Sequence, residues 1–351
     1  MEKEKTKMKK IVLILILLLG LISCGKEERL IDNSVVSLSL YLADSIANDF
    51  SIYHYPSLEL SKANLLAEAG ITLNSPISNI REFQKRIYIL VPGDDKMIVF
   101  DAVADTLLAV NDFPFNSGPF DINFANVVDG FVMFKYAPYI INYDLVYNKS
   151  ARTIDGRSLV TSMIDFGSYS FLTESQSLSV SILDNRNYRN DGFIEVSGIP
   201  ILSAITDQSE LFIVSKGYTK LNAENNEETV PSQIHFIDPN SRTIRFTRKM
   251  GDNIINANEV IPTDLATTPL GYAYVSTNKG LLRFDTRNNG GLIDVSKRIF
   301  SQLEFNAQRN GIYLLENKDS EAKIAEASAV NGRIINNVVV PSSTNRFHLS
   351  N

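Results

Sequence analysis

The sequence predicts an all-β chain folded as a ring of about seven four-stranded sheets behind an amino-terminal export signal. Three observations predict it. A two-strand pattern closing on aspartate recurs down the chain; a strand headed by proline or asparagine stands ahead of several copies; and a short apolar run ends at the one cysteine.

The recurring pattern is a β-branched or aromatic strand, a polar turn, a second strand and Asp. It runs through Ile87–Val91 to Asp101, Phe131–Phe134 to Asp144, Leu211–Val214 to Asp238 and Tyr272–Ser276 to Asp285, with a weaker copy over Leu178–Asp184. The closing aspartates at 101, 144, 184, 238 and 285 are separated by 43, 40, 54 and 47 residues. A period of this size, made of short strands, predicts the blades of a β-propeller, because one four-stranded sheet cannot bury both of its faces alone. The long step holds a polar insertion, Gly217 to Ser232, which a hairpin loop accommodates cheaply. One further copy over Gly311–Leu315 and Ala322–Ala325, and alternating residues over Val36–Leu42 and Phe50–Tyr55, bring the expectation to about seven blades. Closure is expected to mix the two chain ends, with Ile334–Val340 beside the amino-terminal strands, since an open ring would expose sheet edges.

Ahead of the paired strands stand Pro119-Phe120-Asp121-Ile122, Pro262-Thr263-Asp264-Leu265 and Ser78-Asn79-Ile80. Proline can open a strand because its missing donor falls outside the ladder, so these segments are read as innermost strands.

The amino terminus carries five lysines in its first ten residues, then an apolar stretch from Ile11 to Leu19. This is shorter than the ~20 residues a helix needs to cross a bilayer, and its layout is that of an export signal. Leu21-Ile22-Ser23-Cys24 resembles the lipobox of bacterial lipoproteins. The resemblance implies cleavage after residue 23 and acylation of Cys24, with more than one acyl chain, as firm anchoring requires. Lys26, Glu27 and Glu28 resemble the tag that sends some Bacteroidetes lipoproteins to the outer face of the outer membrane; the same residues also read as an ordinary solvated tether. The expected organisation is a signal peptide over 1–23, a lipidated tether over 24–34, a propeller over 35–345 and a tail over 346–351. The expected location is the cell envelope, anchored by lipid to the outer membrane.

The stretch GYAYVSTNKGLLRFDTRNN resembles the YVTN-type repeat of bacterial propellers, and Phe50 to Asp101 is similar to the opening of propeller surface lipoproteins of Bacteroidetes. Some members of the latter family capture cobalamin and pass it to a TonB-dependent transporter, and some propellers of similar repeat type are lactonases or lyases. No residue in this sequence selects a corrinoid.

Composition excludes several classes. An acylated Cys24 leaves no thiol for a disulfide, a zinc–thiolate site or a cysteine nucleophile. Loss of residues 1–23, with five lysines and two glutamates, leaves 29 basic and 38 acidic residues, a net charge of −9 that repels nucleic acid. The three histidines, His54, His235 and His348, have no zinc-ligand spacing, and no serine lies in a Gly-x-Ser-x-Gly elbow, so neither a metal site nor a catalytic residue is assigned. Tryptophan is absent, which disfavours a quinone cofactor docked between blades, and no cofactor is expected. The closing aspartates, each followed by turn residues, are expected to cap local amides rather than bind calcium.

The residues placed at the mouth of the central channel are the ligand-binding candidates. They are Asn79, Asp121 and Asp264 at the innermost-strand entrances, and Asp94, Asp95, Tyr136 and Lys279 in turns expected on the same face. The leading expectation is a membrane-anchored binder of a small molecule, a glycan or an envelope partner such as an outer-membrane transporter. The competing expectations are a propeller hydrolase or lyase, marked by titratable groups clustered at the mouth, and an envelope scaffold, marked by an exposed apolar patch.

Overall fold

In six of the seven blades the second strand is buried on both faces, and these strands read in sequence as short apolar runs: Arg86–Val91, Asp129–Phe134, Tyr169–Glu174, Leu211–Lys216, Tyr272–Thr277 and Gly311–Lys318. A strand in this position has a sheet neighbour on each side and another blade on each face, so it keeps no solvent face. The computed structural model describes residues 37–221, 225–250, 260–288, 290–318 and 320–350. Cys24, the expected export signal over 1–23 and the whole of the expected tether over 24–34 lie outside the described residues.

The described chain is a seven-bladed β-propeller. From inner to outer strand, blade 2 is Asn79–Phe83, Arg86–Val91, Lys96–Asp101 and Thr106–Asp112. Blade 3 is Pro119–Phe124, Asp129–Phe134, Ile140–Asp144 and Lys149–Ile154. Blade 4 is Val160–Phe166, Tyr169–Glu174, Ser179–Asp184 and Arg189–Glu195. Blade 5 is Ile199–Ile205, Leu211–Lys216, Gln233–Asp238 and Thr243–Lys249, and the expected insertion forms a hairpin of its own, Tyr218–Leu221 with Glu227–Val230. Blade 6 is Pro262–Thr268, Tyr272–Thr277, Gly280–Asp285 and Gly291–Ser296, and blade 7 is Gln302–Asn306, Gly311–Lys318, Glu321–Ser328 and Ile334–Val340.

Blade 1 closes the ring. Its inner strand is Thr344–Leu349 from the carboxyl end, and its outer three are Leu38–Asp44, Asp49–Tyr55 and Glu59–Lys62 from the amino end. The chain ends do mix, but through a different segment from the one expected. Ile334–Val340 pairs with Glu321–Ser328 as the outer strand of blade 7, while Leu40, Tyr41, Leu42 and Ala43 pair with Leu349, His348, Phe347 and Arg346. Residues 346–349, expected in a tail, therefore belong to the closing strand. The reason is visible in TNRFHL, whose alternation sends Phe347 and Leu349 into the core, both fully buried.

Seven apolar clusters hold the ring, one between each adjacent pair of blades. Each buried Leu, Ile, Val or Phe contributes on the order of 1.5–3 kcal/mol, so the stability lies between blades rather than within them. The seam between blades 7 and 1 carries a buried polar lock as well. Glu326 accepts from Tyr55 Oη and Tyr313 Oη, both at 3.0 Å, and from Arg309 Nε at 3.3 Å.

The closing aspartates behave as the turn chemistry requires. Asp101 Oδ1 accepts from the amides of Val103 and Ala104 at 2.8 and 2.9 Å. Asp144 Oδ1 takes those of Val146 and Tyr147, both at 2.9 Å, and Asp285 Oδ1 those of Arg287 and Asn288 at 3.0 and 3.1 Å.

Candidate functional site

Five of the seven inner strands carry a β-bulge at their second or third residue, at Phe120, Thr161, Ile201, Thr263 and Asn345. A bulge adds a residue and re-aims the side chain after it. Here the residues that follow are Asp121, Ser162, Leu202, Asp264 and Arg346, and all five face one cavity at the channel mouth. Asn79 of blade 2 and Gln302 of blade 7, whose strands start without a bulge, complete a girdle with one residue from every blade. The cavity has a volume of about 580 Å³.

The girdle is cross-linked by side chains. Asn79 Nδ2 donates to Asp121 Oδ1 at 2.8 Å, and Arg81 takes the same carboxylate bidentately, Nε to Oδ1 at 2.8 Å and Nη2 to Oδ2 at 2.7 Å. Ser162 and Ser203 join blades 4 and 5 through their hydroxyls at 2.8 Å. Asp264 accepts from its own neighbour Leu265 N at 2.9 Å and, across to blade 7, from Leu303 N at 2.7 Å. Gln302 bridges to blade 1 as a main chain would, donating to Phe347 O at 2.7 Å and accepting from Phe347 N at 3.0 Å.

Two groups at the mouth stand apart electrostatically. Burial pushes the Asp264 carboxyl up to about 6, against the pull of its amide donors and of Arg81 and Arg346. Arg346 donates only to carbonyls, Nε to Ser78 O at 2.6 Å and Nη1 to Asn345 O at 2.9 Å, and among the described residues no carboxylate pairs with it. Burial lowers its guanidinium below the usual range while Asp264 holds it up. The far side of the cavity is neutral, with Thr161, Ser162 and Ser203 presenting hydroxyls.

A second layer lies beside the girdle on the closing strand. The ring of His348 sits between carboxylates of the two neighbouring blades, Nδ1 at 2.9 Å from Glu304 Oε1 and Nε2 at 3.3 Å from Glu82 Oε2, and stacks on Tyr41 at 6.0 Å. Burial alone would favour the neutral ring, but Glu304 and Glu82 outweigh it and raise His348 to about 9. Far from a frayed tail, His348 is buried in the seam that closes the ring.

Of the seven residues singled out in the sequence, Asn79, Asp121 and Asp264 line the cavity; Asp94, Asp95, Tyr136 and Lys279 do not. Asp94 and Asp95 are spent on the loops that enter inner strands. Asp94 accepts from Asn74 N at 2.8 Å and from Ser75 Oγ, and Asp95 from Asn116 N and Gly118 N, both at 2.7 Å. Tyr136 covers Gly118, where a Cβ would lie 2.6 Å from its ring and where φ is +65°, so glycine is required. Its neighbour Lys135 reaches the cavity instead. Lys279 lies exposed in the turn between the second and third strands of blade 6.

Arg81, Arg346, Gln302 and the hydroxyl side were not singled out in sequence. Arg81 follows Asn79 at the period-2 spacing of the same strand face, which is a usable signal; Arg346 becomes visible only once Thr344–Leu349 is known to be an inner strand.

Among the described residues, no group of three or more His, Cys, Asp or Glu side chains is placed to hold a metal ion. The histidines also stay away from the cavity hydroxyls: His54 is exposed, and His235 is buried with its ring nitrogens 3.0 Å from Thr247 Oγ1 and 2.8 Å from Ser197 O.

No family profile and no curated protein matches the chain. Solved structures do. A protein described as a candidate 6-phosphogluconolactonase from Bacteroides uniformis superposes with TM-score 0.62 at 11% identity, over 90% of this chain and 99% of that one. A functionally unknown protein from Desulfotomaculum acetoxidans gives 0.63 at 11% identity, over 89% and 98%. Hydrazine synthase of Kuenenia stuttgartiensis gives 0.60 at 10% identity, over 76% and 92%. At these identities the likeness is one of fold, and what it establishes is the propeller.

Proposed function

We propose that the chain is an envelope-anchored propeller that holds a small, anionic, hydroxyl-rich solute in its channel mouth without transforming it. The observation that carries this reading is Arg346, a guanidinium facing the cavity with no carboxylate partner among the described residues. A guanidinium so placed suits a carboxylate or phosphate, and the hydroxyls of Thr161, Ser162 and Ser203 opposite suit the rest of a polyol. Asp121 is occupied by Arg81 and Asn79, so it orders the mouth rather than repelling an anion. The lipobox-like Leu21-Ile22-Ser23-Cys24 supports the anchor.

Native mass spectrometry of the protein extracted from its own membranes tests this. The expected result is a small acid retained by the native protein and missing from Arg346→Gln; a native mass equal to that of the bare lipidated chain, with no acid bound from added sugar-acid mixtures, contradicts it.

A second reading has one specific observation in its favour. Asp264 lies in the cavity with its carboxyl raised to about 6, the range that suits a general base acting on water, and titratable groups do cluster at the mouth. A hydrolase of this kind would open a sugar lactone, and turnover of gluconolactone that falls at least a hundredfold in Asp264→Asn would select it over simple binding.

A further inference from the structure

The face opposite the channel mouth is not uniform. Strands run the same way in every blade, so the ends of the third strands, at Asp101 and Asp144 among others, share that face. Two residues past these aspartates, blades 2 and 3 present Val103 and Val146, followed in blade 3 by Tyr147; they are 71%, 52% and 72% exposed. The blade 3 turn between inner and second strand adds Val127 and Val128, 61% and 44% exposed. The two blades' turns are tied together: Leu145 N donates to Val128 O at 2.7 Å, Arg86 to Leu145 O, and Ala102 N to Lys85 O at 2.8 Å. The five apolar side chains therefore sit on bonded, neighbouring turns of two adjacent blades.

The carboxylates of Asp101 and Asp144 turn inward to their amides, so the turn tips are apolar, and Lys149 lies over the Tyr147 ring at 5.3 Å. At the equivalent turn position blades 4, 5 and 6 carry Arg186, Asn240 and Arg287, and blade 7 carries Val330, 40% exposed. The most exposed apolar tips, on Val103 and Tyr147, thus stand on the neighbouring blades 2 and 3.

What covers this arc follows from where the described chain starts. Leu38 pairs with Tyr55, the last residue of a third strand, so residue 37 leaves the propeller on this same face. Twelve residues separate it from Cys24, and the thirteen steps between them reach at most about 45 Å when extended. We infer that the arc of Val103, Val127, Val128, Val146 and Tyr147 rests on the lipid surface to which Cys24 is tethered, so that the channel mouth faces away from the membrane. The inference rests on the anchored reading of Cys24. Valine and tyrosine tips flanked by lysine suit the interfacial zone of a bilayer, where tyrosine keeps its ring in the apolar boundary and its hydroxyl in water.

The test uses the full lipidated protein, whose only native thiol is consumed by acylation, with an environment-sensitive fluorophore on Tyr147→Cys or on Phe115→Cys. Phe115 is 97% exposed in the loop that enters the inner strand of blade 3, on the mouth face. On phosphatidylethanolamine–phosphatidylglycerol vesicles containing nitroxide-labelled lipid, the Tyr147 site is expected to shift to the blue and lose at least half its emission, and the Phe115 site to change by less than a tenth. Vesicles that retain the protein while both sites stay solution-like overturn the docking face and leave the anchor standing. Protein that fails to float with vesicles overturns the anchor and the docking together. A Tyr147 change that follows protein concentration without lipid assigns the patch to a second copy and also overturns the inference.

Discussion

Arg81 reaches from blade 2 to grip Asp121 of blade 3 through two parallel hydrogen bonds of 2.8 and 2.7 Å, across the gap where the inner strands face one another. The geometry is that of a strong pair, but the Arg81 side chain is 47% exposed, so solvent screens it. A double-mutant cycle with Arg81→Ala and Asp121→Ala, read by urea unfolding, is expected to give a coupling of about 1 kcal/mol rather than the 3–5 of a dry pair. Asp121→Asn should at the same time raise the affinity of the mouth for anions, because it leaves Arg81 unpaired inside the cavity.

Asp95 belongs to the scaffold. Its carboxylate gathers the amides of Asn116 and Gly118 at 2.7 Å. Asp95→Ala is expected to lower stability by about 2–3 kcal/mol, as for charge-assisted bonds lost together, and to leave solute affinity within twofold. A denaturation curve and a binding isotherm on the same variant check both halves.

His348 gives the protein a pH signature. Its ring, held between Glu304 and Glu82 and stacked on Tyr41, is raised from 6.5 to about 9. A histidine bound more tightly to its proton in the folded state stabilises fully below its unfolded pKa, and that contribution is lost as pH rises through the folded value. Urea midpoints are therefore expected to fall between pH 6.5 and about 9.5, and this part of the slope is expected to vanish in His348→Gln. At pH 7, His348→Ala should cost about 3 kcal/mol, since two carboxylates are left facing each other without the cation.

Closure depends on the last strand. Deleting residues 344–351 strips the inner strand from blade 1, with the buried Phe347 and Leu349, and bares the edge of Leu38–Asp44. The truncated chain is expected to lose its cooperative unfolding transition and to aggregate, as seen by calorimetry and size-exclusion chromatography.

The repeat was legible because it is carried by strands buried on both faces, where apolar residues run together, and because an Asp ends the third strand in five of the blades. Strands at the ring's inner edge were legible only where proline or asparagine headed them, as at Pro119, Pro262 and Asn79. Val160–Phe166, Ile199–Ile205 and Gln302–Asn306 lack a shared signature, since a side chain facing the channel has no packing partner to fix its type. Thr344–Leu349 was hidden for another reason: its partners lie some 300 residues away in sequence, and a short alternating segment at a chain end looks like a tail until the ring is closed. The same physics divides the candidate site. Asn79, Asp121 and Asp264 sit on strands that announced themselves, whereas the carboxylates of Asp94 and Asp95 are consumed by the loops beside the mouth.

Solute binding as proposed turns on Arg346 receiving an anion at the channel mouth. Its most direct test is calorimetric titration of the wild-type protein and Arg346→Gln with D-glucuronate and D-glucose at pH 7.5 and 5.5. The acid is expected to bind the wild type at least tenfold more tightly than the neutral sugar and to lose that advantage in the variant. It should also bind more tightly at pH 5.5, where Asp264, raised to about 6, takes up its proton and ceases to repel it. Equal binding of acid and neutral sugar, or an Arg346→Gln variant that binds glucuronate as the wild type does, would contradict anion capture at the mouth.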